Sequence, residues 1–238
     1  MALPIAAQFR LEPLDKRTLL RAHPFFRDLD ARIVDQLAPR AVTRKIKKGT
    51  VLFRKGDVGS ALFAVLAGVV RISAPSKGGQ DAVFNLIVPG EVFGEITVLD
   101  GGVRTADAVA VEDGELMVIE RRDFIPMLRQ FPELGIRFIE ILCGRVRRTS
   151  EQVEDIVFLD LANRLAKVLL LLHSRRHAES QPGVIRITQR EISQMVGASR
   201  ESTNKQLRKW QRMKLVRVER GGVLVLVPGA LARFISDS

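Results

Sequence analysis

The chain is poor in the residues that hold metals and disulfides. It has one cysteine, Cys143, which excludes an internal disulfide and a cysteine-ligated zinc or iron–sulfur site within one chain. Its three histidines, His23, His173 and His177, form no cluster of the kind that a metal-dependent barrel enzyme needs, and no Ser–His–Asp arrangement is suggested. We therefore expect no metal site and no enzyme activity.

Long apolar runs are also missing. The longest, residues 61–70, contains Gly68 and falls well short of the ~20 residues that span a bilayer. Residues 1–8 lack the basic start of a secretory signal. We expect a cytoplasmic protein with no membrane partner.

Charge is the least balanced property of the chain. The 38 Lys and Arg residues exceed the 27 Asp and Glu residues and give a formal net charge of +11. Residues 186–220 hold ten basic and only three acidic side chains, so most of the excess lies near the C-terminus. A confined basic block is typical of proteins that bind nucleic acid, and it also fits a solvated basic surface.

Residues 25–120 have the pattern of an antiparallel β domain. Short β-rich runs alternate with glycine turns, without helical periodicity between them. The pattern predicts a barrel or jelly roll, preceded by a short helix at 31–38. The predicted strands are 50–53, 62–66, 69–73, 83–88, 106–111 and 116–119.

A long helix is predicted to begin near Pro132, because proline is tolerated in a first helical turn. It carries a heptad-like row of residues, here called the seam. The seam suits a two-helix dimer interface, and it also suits a helix packed on its own barrel. Its members are Phe138, Leu142, Val146, Thr149, Val153 and Ile156.

The region from Asp160 predicts a winged helix-turn-helix. An apolar helix at 161–172 and a polar loop at 173–183 come first. Thr188 and Glu191 then form a capping box at the start of the next helix.

A tight turn at Gly197 precedes a second helix, for which Ser199 is a good N-cap. A β-hairpin follows, with strands at 216–219 and 223–227 and a turn at 221–222. Thr203, Leu207 and Trp210 are predicted to face inward. The opposite face suits base edges and phosphates, which favours DNA binding over protein contact. It presents Arg200, Glu201, Asn204, Lys205 and Arg208.

Residues 94–105, here called the cassette, could bind an anion. Glycines allow close backbone approach, while Arg104 and the Thr105 hydroxyl supply charge and a hydrogen-bond donor. Glu95 could accept from a sugar hydroxyl. An Arg and a Glu nine residues apart more often form a surface ion pair, so Glu95 and Arg104 could also be such a pair.

From about His23 to its end, the chain resembles the cyclic-AMP receptor protein and fumarate–nitrate regulator (Crp/Fnr) family of bacterial transcription factors. The resemblance rests on the cassette, on residues 149–153, on residues 158–160 and on residues 187–201. It implies an α+β fold with an N-terminal β jelly-roll cyclic-nucleotide-binding domain, a long dimerisation helix and a C-terminal winged helix-turn-helix. The implied boundaries are 1–21 for an N-terminal extension, then 22–131, 132–159 and 160–238.

The resemblance also implies the ligand and its contacts. Cyclic AMP would place its ribose 2′-hydroxyl on Glu95 and its phosphate on Arg104 and Thr105. Thr149 would meet the adenine, with Ser150 reaching across from the partner subunit. The loop from Glu95 to Arg104 is one residue shorter than in the family's namesake. The implied ligand residues are Gly94, Glu95, Ile96, Arg104, Thr105, Arg145, Thr149 and Ser150.

For DNA, the resemblance implies a homodimer on a palindromic double-stranded site, with RNA polymerase as a further partner. Lys205 stands where the namesake has arginine, and lysine is a point donor without the planar fork. Ser199 and Arg208 look like phosphate contacts, which position rather than specify. The implied DNA-binding residues are Thr188, Ser199, Arg200, Glu201, Ser202, Lys205 and Arg208.

Three other interpretations stay open. Cyclic GMP or another nucleotide could replace cyclic AMP. The regulator could be independent of ligand, with a vestigial nucleotide site. A nucleotide-sensing protein-interaction module would use the same barrel, but such modules lack a helix-turn-helix.

Overall fold

A computed structural model describes residues 16–75, 81–177, 185 and 187–236 of the chain. These residues divide into two compact units. The first unit runs up to Arg71 and includes Leu86–Ile139. The second consists of Ile72–Asn85 and the chain from Glu140 onward. Most of the expected N-terminal extension, residues 1–15, lies outside the described residues.

The strands of the N-terminal half build two four-stranded sheets, which is the arrangement of a jelly roll. One sheet has the order β1-β8-β3-β6 and the other the order β2-β7-β4-β5. In the first sheet β3 pairs antiparallel with two neighbours, so that Phe63 lies opposite both Val118 and Phe93. The predicted α+β fold class is confirmed. The strands are β1 (Val42–Ile46), β2 (Val51–Phe53), β3 (Ala61–Ala67), β4 (Val70–Ala74), β5 (Ala82–Ile87), β6 (Val92–Phe93), β7 (Asp107–Ala110) and β8 (Gly114–Glu120).

Strand β1 is absent from the sequence prediction. It lies at the edge of its sheet, and Val42, Arg44 and Lys45 are exposed. In the register of the two strands, Lys45 lies opposite Glu115. Charged side chains are common on edge strands because they discourage pairing with other chains, so hydrophobic alternation is a weak guide there.

Five helices accompany these sheets within the described residues, and the last of them is the predicted long helix. The start of its seam packs inside the first unit: Phe138 is buried, with its ring 4.8 Å from that of Phe25 and 5.0 Å from that of Phe124. Further along, Val146, Val153 and Ile156 are all more than half exposed. The helices are α1 (Lys16–Ala22), α2 (Ala31–Leu37), α3 (Glu95–Asp100), α4 (Arg121–Gln130) and α5 (Pro132–Phe158).

The C-terminal region has the predicted helix-turn-helix and hairpin. Its first helix continues to His177, so the prediction of a loop is wrong for residues 173–177, while residues 178–183 lie outside the described ones. Helix propensity depends on residue type and arginine is a good helix former, so the polar composition of residues 173–177 does not by itself end a helix. The elements are α6 (Leu161–His177), α7 (Gln189–Val196), α8 (Arg200–Arg212), β9 (Val216–Glu219), β10 (Gly222–Val225) and α9 (Pro228–Ser236). Across the part of the chain that the structure describes, no helix has the length and apolarity needed to cross a membrane.

Candidate nucleotide site and nucleic-acid interface

The cassette is a turn, a short helix and a loop between β6 and β7. Gly94 lies in the left-handed region at φ 78°, where a side chain would be strained, and it leads directly into α3. Glu95, the first residue of α3, is only 1% exposed, and Arg104 in the loop after α3 is only 4% exposed. The structure therefore brings Gly94, Glu95 and Arg104 together in the first unit.

Backbone carbonyls hold the guanidinium group of Arg104. Its Nη1 donates to the carbonyl oxygen of Gly94 at 2.8 Å, and its Nη2 donates to that of Ala61 at 2.8 Å. The hydroxyl of the buried Thr97 donates to the same Gly94 carbonyl at 3.3 Å. Arg104 Nε has no hydrogen-bond partner among the described residues. Backbone carbonyls therefore take up two of the five N–H donors of this guanidinium group.

Burial lowers the pKa of the Arg104 guanidinium, while the carboxylates of Glu95, Asp57 and Glu120 act in the opposite direction. An arginine stays charged in a protein because its ordinary pKa is so high. A buried cation is costly unless it is paired with negative charge. An additional anion next to this guanidinium group would therefore be favourable. Glu95 and Arg104 do not form an exposed surface ion pair.

Two further predicted ligand residues of the cassette lie nearer to solvent. Thr105 is exposed, and the side chain of Ile96 is 39% exposed. Thr105 follows the buried Arg104 directly in the chain, and its exposure leaves it accessible for the phosphate role implied by the resemblance. The contacts of both residues with a ligand stay predictions.

Two contacts at this site, one with an aromatic ring and one with a glycine, are absent from the sequence prediction. The Phe53 ring lies under the guanidinium, with its centroid 4.1 Å from Arg104 Cζ. Gly59 lies against Arg104 Nε, so closely that a Cβ at Gly59 would come within 2.5 Å of it. Gly59 belongs to the predicted glycine turns, which is a weak sequence signal. Nothing in the sequence around Phe53 marks its contact with a residue 51 positions away.

Arg145, Thr149 and Ser150 lie in the second half of α5, which belongs to the second unit. Arg145 is half-buried, whereas Thr149 and Ser150 are exposed. Arg145 and Thr149 are four residues apart and share a face of the helix. Their role in ligand binding stays a prediction.

The predicted recognition helix is α8. Ser199 caps it by accepting from the Ser202 N–H at 3.0 Å, and Gly197 makes the preceding turn at φ 65°. Thr203 and Trp210 are fully buried, as predicted for the inner face. The capping box at the start of α7 is also confirmed, with both bonds between Thr188 and Glu191 present.

The outer face of α8 is exposed and basic. Its hydroxyls are engaged locally at the N-terminus, where Ser199 Oγ donates to Ser202 Oγ at 2.9 Å. Thr188 likewise donates its hydroxyl to Glu191 at 2.7 Å, so a phosphate there would have to compete with the capping box. The exposed members of the predicted DNA-binding set are Thr188, Ser199, Arg200, Glu201, Ser202, Lys205 and Arg208.

No three His, Cys, Asp or Glu side chains come together as a possible metal site among the residues that the structure describes. The site therefore offers backbone carbonyls, one buried guanidinium and one buried carboxylate. The guanidinium can attract an anion, and the carboxylate can accept a hydrogen bond from a hydroxyl group of the same ligand.

Two family models match the chain. Residues 43–131 match a cyclic nucleotide-binding domain. Residues 163–234 match a Crp-like helix-turn-helix domain. The first match contains the whole cassette, and the second contains α7, α8 and the hairpin.

Similar proteins match over most of the chain. A CRP-like cAMP-activated global transcriptional regulator of Mycobacterium tuberculosis is 30% identical over 209 residues, which cover 84% of this chain and 93% of that protein. A cyclic AMP receptor protein of Thermus thermophilus is 32% identical over 206 residues, covering 87% and 94%.

Solved structures agree on the fold. The Thermus thermophilus catabolite activator protein is 31% identical, with a TM-score of 0.51, and the match covers 90% of this chain and 99% of that one. A c-di-GMP responsive global regulator, CLP of Xanthomonas campestris, has a TM-score of 0.74 at 23% identity, covering 82% and 99%. At that lower identity the likeness concerns the fold alone.

Proposed function

Because the chain belongs to the Crp/Fnr family of DNA-binding transcriptional regulators, we propose that it is a homodimer whose affinity for a two-fold symmetric DNA site is raised by cyclic AMP. Members of this family are regulators and not enzymes. The helix-turn-helix also argues against a module that only binds other proteins.

The observation that carries the ligand is the buried Arg104 guanidinium on the Gly94 carbonyl. A cyclic phosphodiester carries one negative charge and suits a guanidinium with spare N–H donors. The buried Glu95 carboxylate next to it would accept from the ribose 2′-hydroxyl. By resemblance, Thr149 and Ser150 would take the adenine. The two relatives described above are named for cyclic AMP, which supports it over cyclic GMP.

The homodimer is supported by the exposed part of the seam on α5. Val146, Val153 and Ile156 are 65%, 55% and 62% exposed and recur at heptad-like spacing. Apolar side chains in such a row are stabilised when a second helix covers them. A second copy of α5 would do so by the same residues on both sides, as a two-fold interface requires.

DNA recognition is assigned to the outer face of α8. Arg200 and Lys205 would donate to guanine edges, Glu201 would accept from a cytosine amino group, and Arg208 would hold a phosphate. A dimer would read two half-sites about one turn of B-DNA apart, ~34 Å. RNA polymerase is the partner we expect at promoters.

Ligand control requires that cyclic AMP bind the DNA-competent state of the protein more tightly than the state that is not competent to bind DNA. A ligand with equal affinity for both would shift nothing, however tightly it bound. The proposal is therefore a statement about two affinities, which titration can measure separately.

Calorimetry with cyclic AMP and cyclic GMP, followed by DNA titration with and without ligand, tests the proposal. We expect cyclic AMP to bind the wild-type protein and to raise its DNA affinity. Arg104→Ala should weaken ligand binding by about 1.5–3 kcal/mol, the usual contribution of a charged hydrogen bond. Arg104→Lys keeps the charge without the planar fork and should give a partial loss. Arg122→Ala is the matched control, since that side chain is 85% exposed outside the cassette.

The results separate the alternatives. Ligand binding without any change in DNA affinity would leave a nucleotide-binding protein with no ligand control. DNA binding that is the same with and without ligand, in a protein that binds no cyclic nucleotide, would favour the ligand-independent regulator. Preference for cyclic GMP would overturn the assignment of cyclic AMP.

The proposed DNA contacts have a test of their own, which uses a DNA site selected from random sequences. Lys205→Ala should cost ~1–3 kcal/mol of specific affinity and relax the base preference. Arg208→Ala should weaken binding to all sequences and lower the salt slope by roughly one phosphate. Arg212→Ala, in the last turn of α8, is the control. Unchanged base preference with Lys205→Ala would show that α8 does not read the bases as assigned.

A further inference from the structure

The β2–β3 loop, residues 54–60, clamps the backbone of Arg104. The Arg104 N–H donates to the Asp57 carbonyl at 2.8 Å, and its own carbonyl accepts from the Gly56 N–H at 2.8 Å. The loop itself is tightened by Asp57, whose carboxylate accepts from the Arg54 N–H at 2.7 Å. Arg104 is therefore fixed by a segment outside the cassette.

Phe53, the last residue of β2, supports the side chain of Arg104. The ring centroid lies 4.1 Å from Arg104 Cζ, well within the ~6 Å of a cation–π contact. Phe53 also belongs to an aromatic cluster, with ring centroids 5.9 Å from Phe63 and 6.1 Å from Phe93. Since Arg104 is only 4% exposed, the ring replaces part of the hydration that its guanidinium group loses.

Gly59 provides the space for this guanidinium. A Cβ at residue 59 would come within 2.5 Å of both Arg104 Nε and Thr97 Oγ1. Gly59 does not have a left-handed φ, so backbone strain is no reason for glycine at this position. What the position needs is the absence of a side chain.

We propose that Phe53 and Gly59 are positioning residues that fix the Arg104 guanidinium in the free protein and thereby set its affinity for the phosphodiester of the ligand. The statement about ligand affinity rests on the function proposed above. The ring fixes the plane of the guanidinium, and the glycine lets it reach the Gly94 and Ala61 carbonyls. The group then meets an anion without first losing side-chain freedom, which is the benefit of preorganisation.

Substitutions at Phe53 separate the ring's charge contact from its packing. Phe53→Leu should weaken cyclic AMP binding about 5- to 30-fold, as expected for a desolvated cation–π contact. Phe53→Tyr keeps the ring and should restore near-wild-type affinity. Phe93→Leu removes a ring from the same cluster, 6.1 Å from Phe53, and is the matched packing control.

A direct readout in the ligand-free protein is the Nε–H resonance of Arg104, identified by its loss in Arg104→Lys. A ring close to the guanidinium shifts this resonance by its ring current. We expect Phe53→Leu to move it and Phe93→Leu to leave it nearly in place. An Nε–H resonance that stays in place in Phe53→Leu would show that the ring does not lie against the guanidinium in the free protein.

Gly59→Ala tests the space requirement. We expect at least a tenfold loss of cyclic AMP affinity and a displaced Nε–H resonance. Gly135→Ala is the control, because nothing lies within 4 Å of a Cβ there and its φ is not left-handed.

The outcomes distinguish this inference from the proposed function. If the wild type binds cyclic AMP, equal affinities of Phe53→Leu and Phe93→Leu would overturn the positioning role, and rescue by Phe53→Tyr would support it. If the wild type binds no cyclic nucleotide, the proposed function fails. The positioning role is then decided by the Nε–H resonance alone, and an unmoved signal in Phe53→Leu and Gly59→Ala would overturn it.

Discussion

Lowering the pH should destabilise the first unit through a single buried histidine. His23 is 4% exposed, and its Nδ1 accepts from the Phe25 N–H at 3.2 Å. Burial lowers the pKa of His23 from 6.5 to about 4, although the carbonyls of Val65 and Glu91 act in the opposite direction. Protonation would also put a hydrogen on Nδ1 and remove the bond from Phe25.

The sign follows from the lowered pKa in the folded state. Between pH 6.5 and about 4 the unfolded chain binds the proton at His23 and the folded chain does not. The contribution of neutral His23 to the free energy of unfolding is therefore fully present above pH 6.5. It is lost progressively as the pH falls to about 4. The total effect is ~3 kcal/mol, of which ~2 kcal/mol falls between about pH 7.5 and about pH 5.

His23→Asn is the informative variant because its Oδ1 can replace Nδ1 as the acceptor for Phe25, yet it does not titrate. Urea unfolding at several pH values, followed by methyl resonances of the buried Leu20 and Ile33, reports on the first unit. We expect the stability difference between about pH 7.5 and about pH 5 to be ~2 kcal/mol smaller in His23→Asn than in the wild type. An equal pH dependence in both proteins, or a His23 ring that titrates near its ordinary value by NMR, would refute the reasoning.

Three further changes test local geometry. Lys214 has φ 56°, so Lys214→Gly should raise the free energy of unfolding by up to about 1 kcal/mol, and an unchanged urea midpoint would contradict this. Ser199→Ala should cost ~1 kcal/mol of stability because it removes the acceptor for the Ser202 N–H, whereas Ser199→Asp keeps a cap and should cost little. Val153→Glu should raise the dimer dissociation constant at least tenfold in sedimentation velocity, since a charge would be buried on the seam. Glu154→Lys is the exposed control, and equal effects of the two substitutions would contradict the assignment of the seam as the dimer interface.

The sequence was informative where a local pattern decides the structure. The capping box of Thr188 and Glu191 and the N-cap Ser199 depend on residues three apart, and both are present. Gly94 and Arg104 are close enough in the chain for their shared role to be visible as a motif. In each case the interacting residues are close together in the chain.

What could not be predicted depends on contacts between distant residues. Phe53 reaches Arg104 only because β2 pairs with β7, three residues beyond the arginine. The different roles of the seam residues could not be predicted either, because periodicity marks Phe138 and Val153 alike. Only the positions of Phe25 and Phe124 show that Phe138 is already covered within its own unit.

The placement of Trp210 has a practical consequence. The chain has this one tryptophan and no tyrosine, and Trp210 is fully buried at the end of α8, with its ring 5.4 Å from that of Phe234. Intrinsic tryptophan emission therefore reports on the unit that contains α8. A change in this emission when cyclic nucleotide alone is added would show, with no label attached, that the ligand alters the surroundings of Trp210.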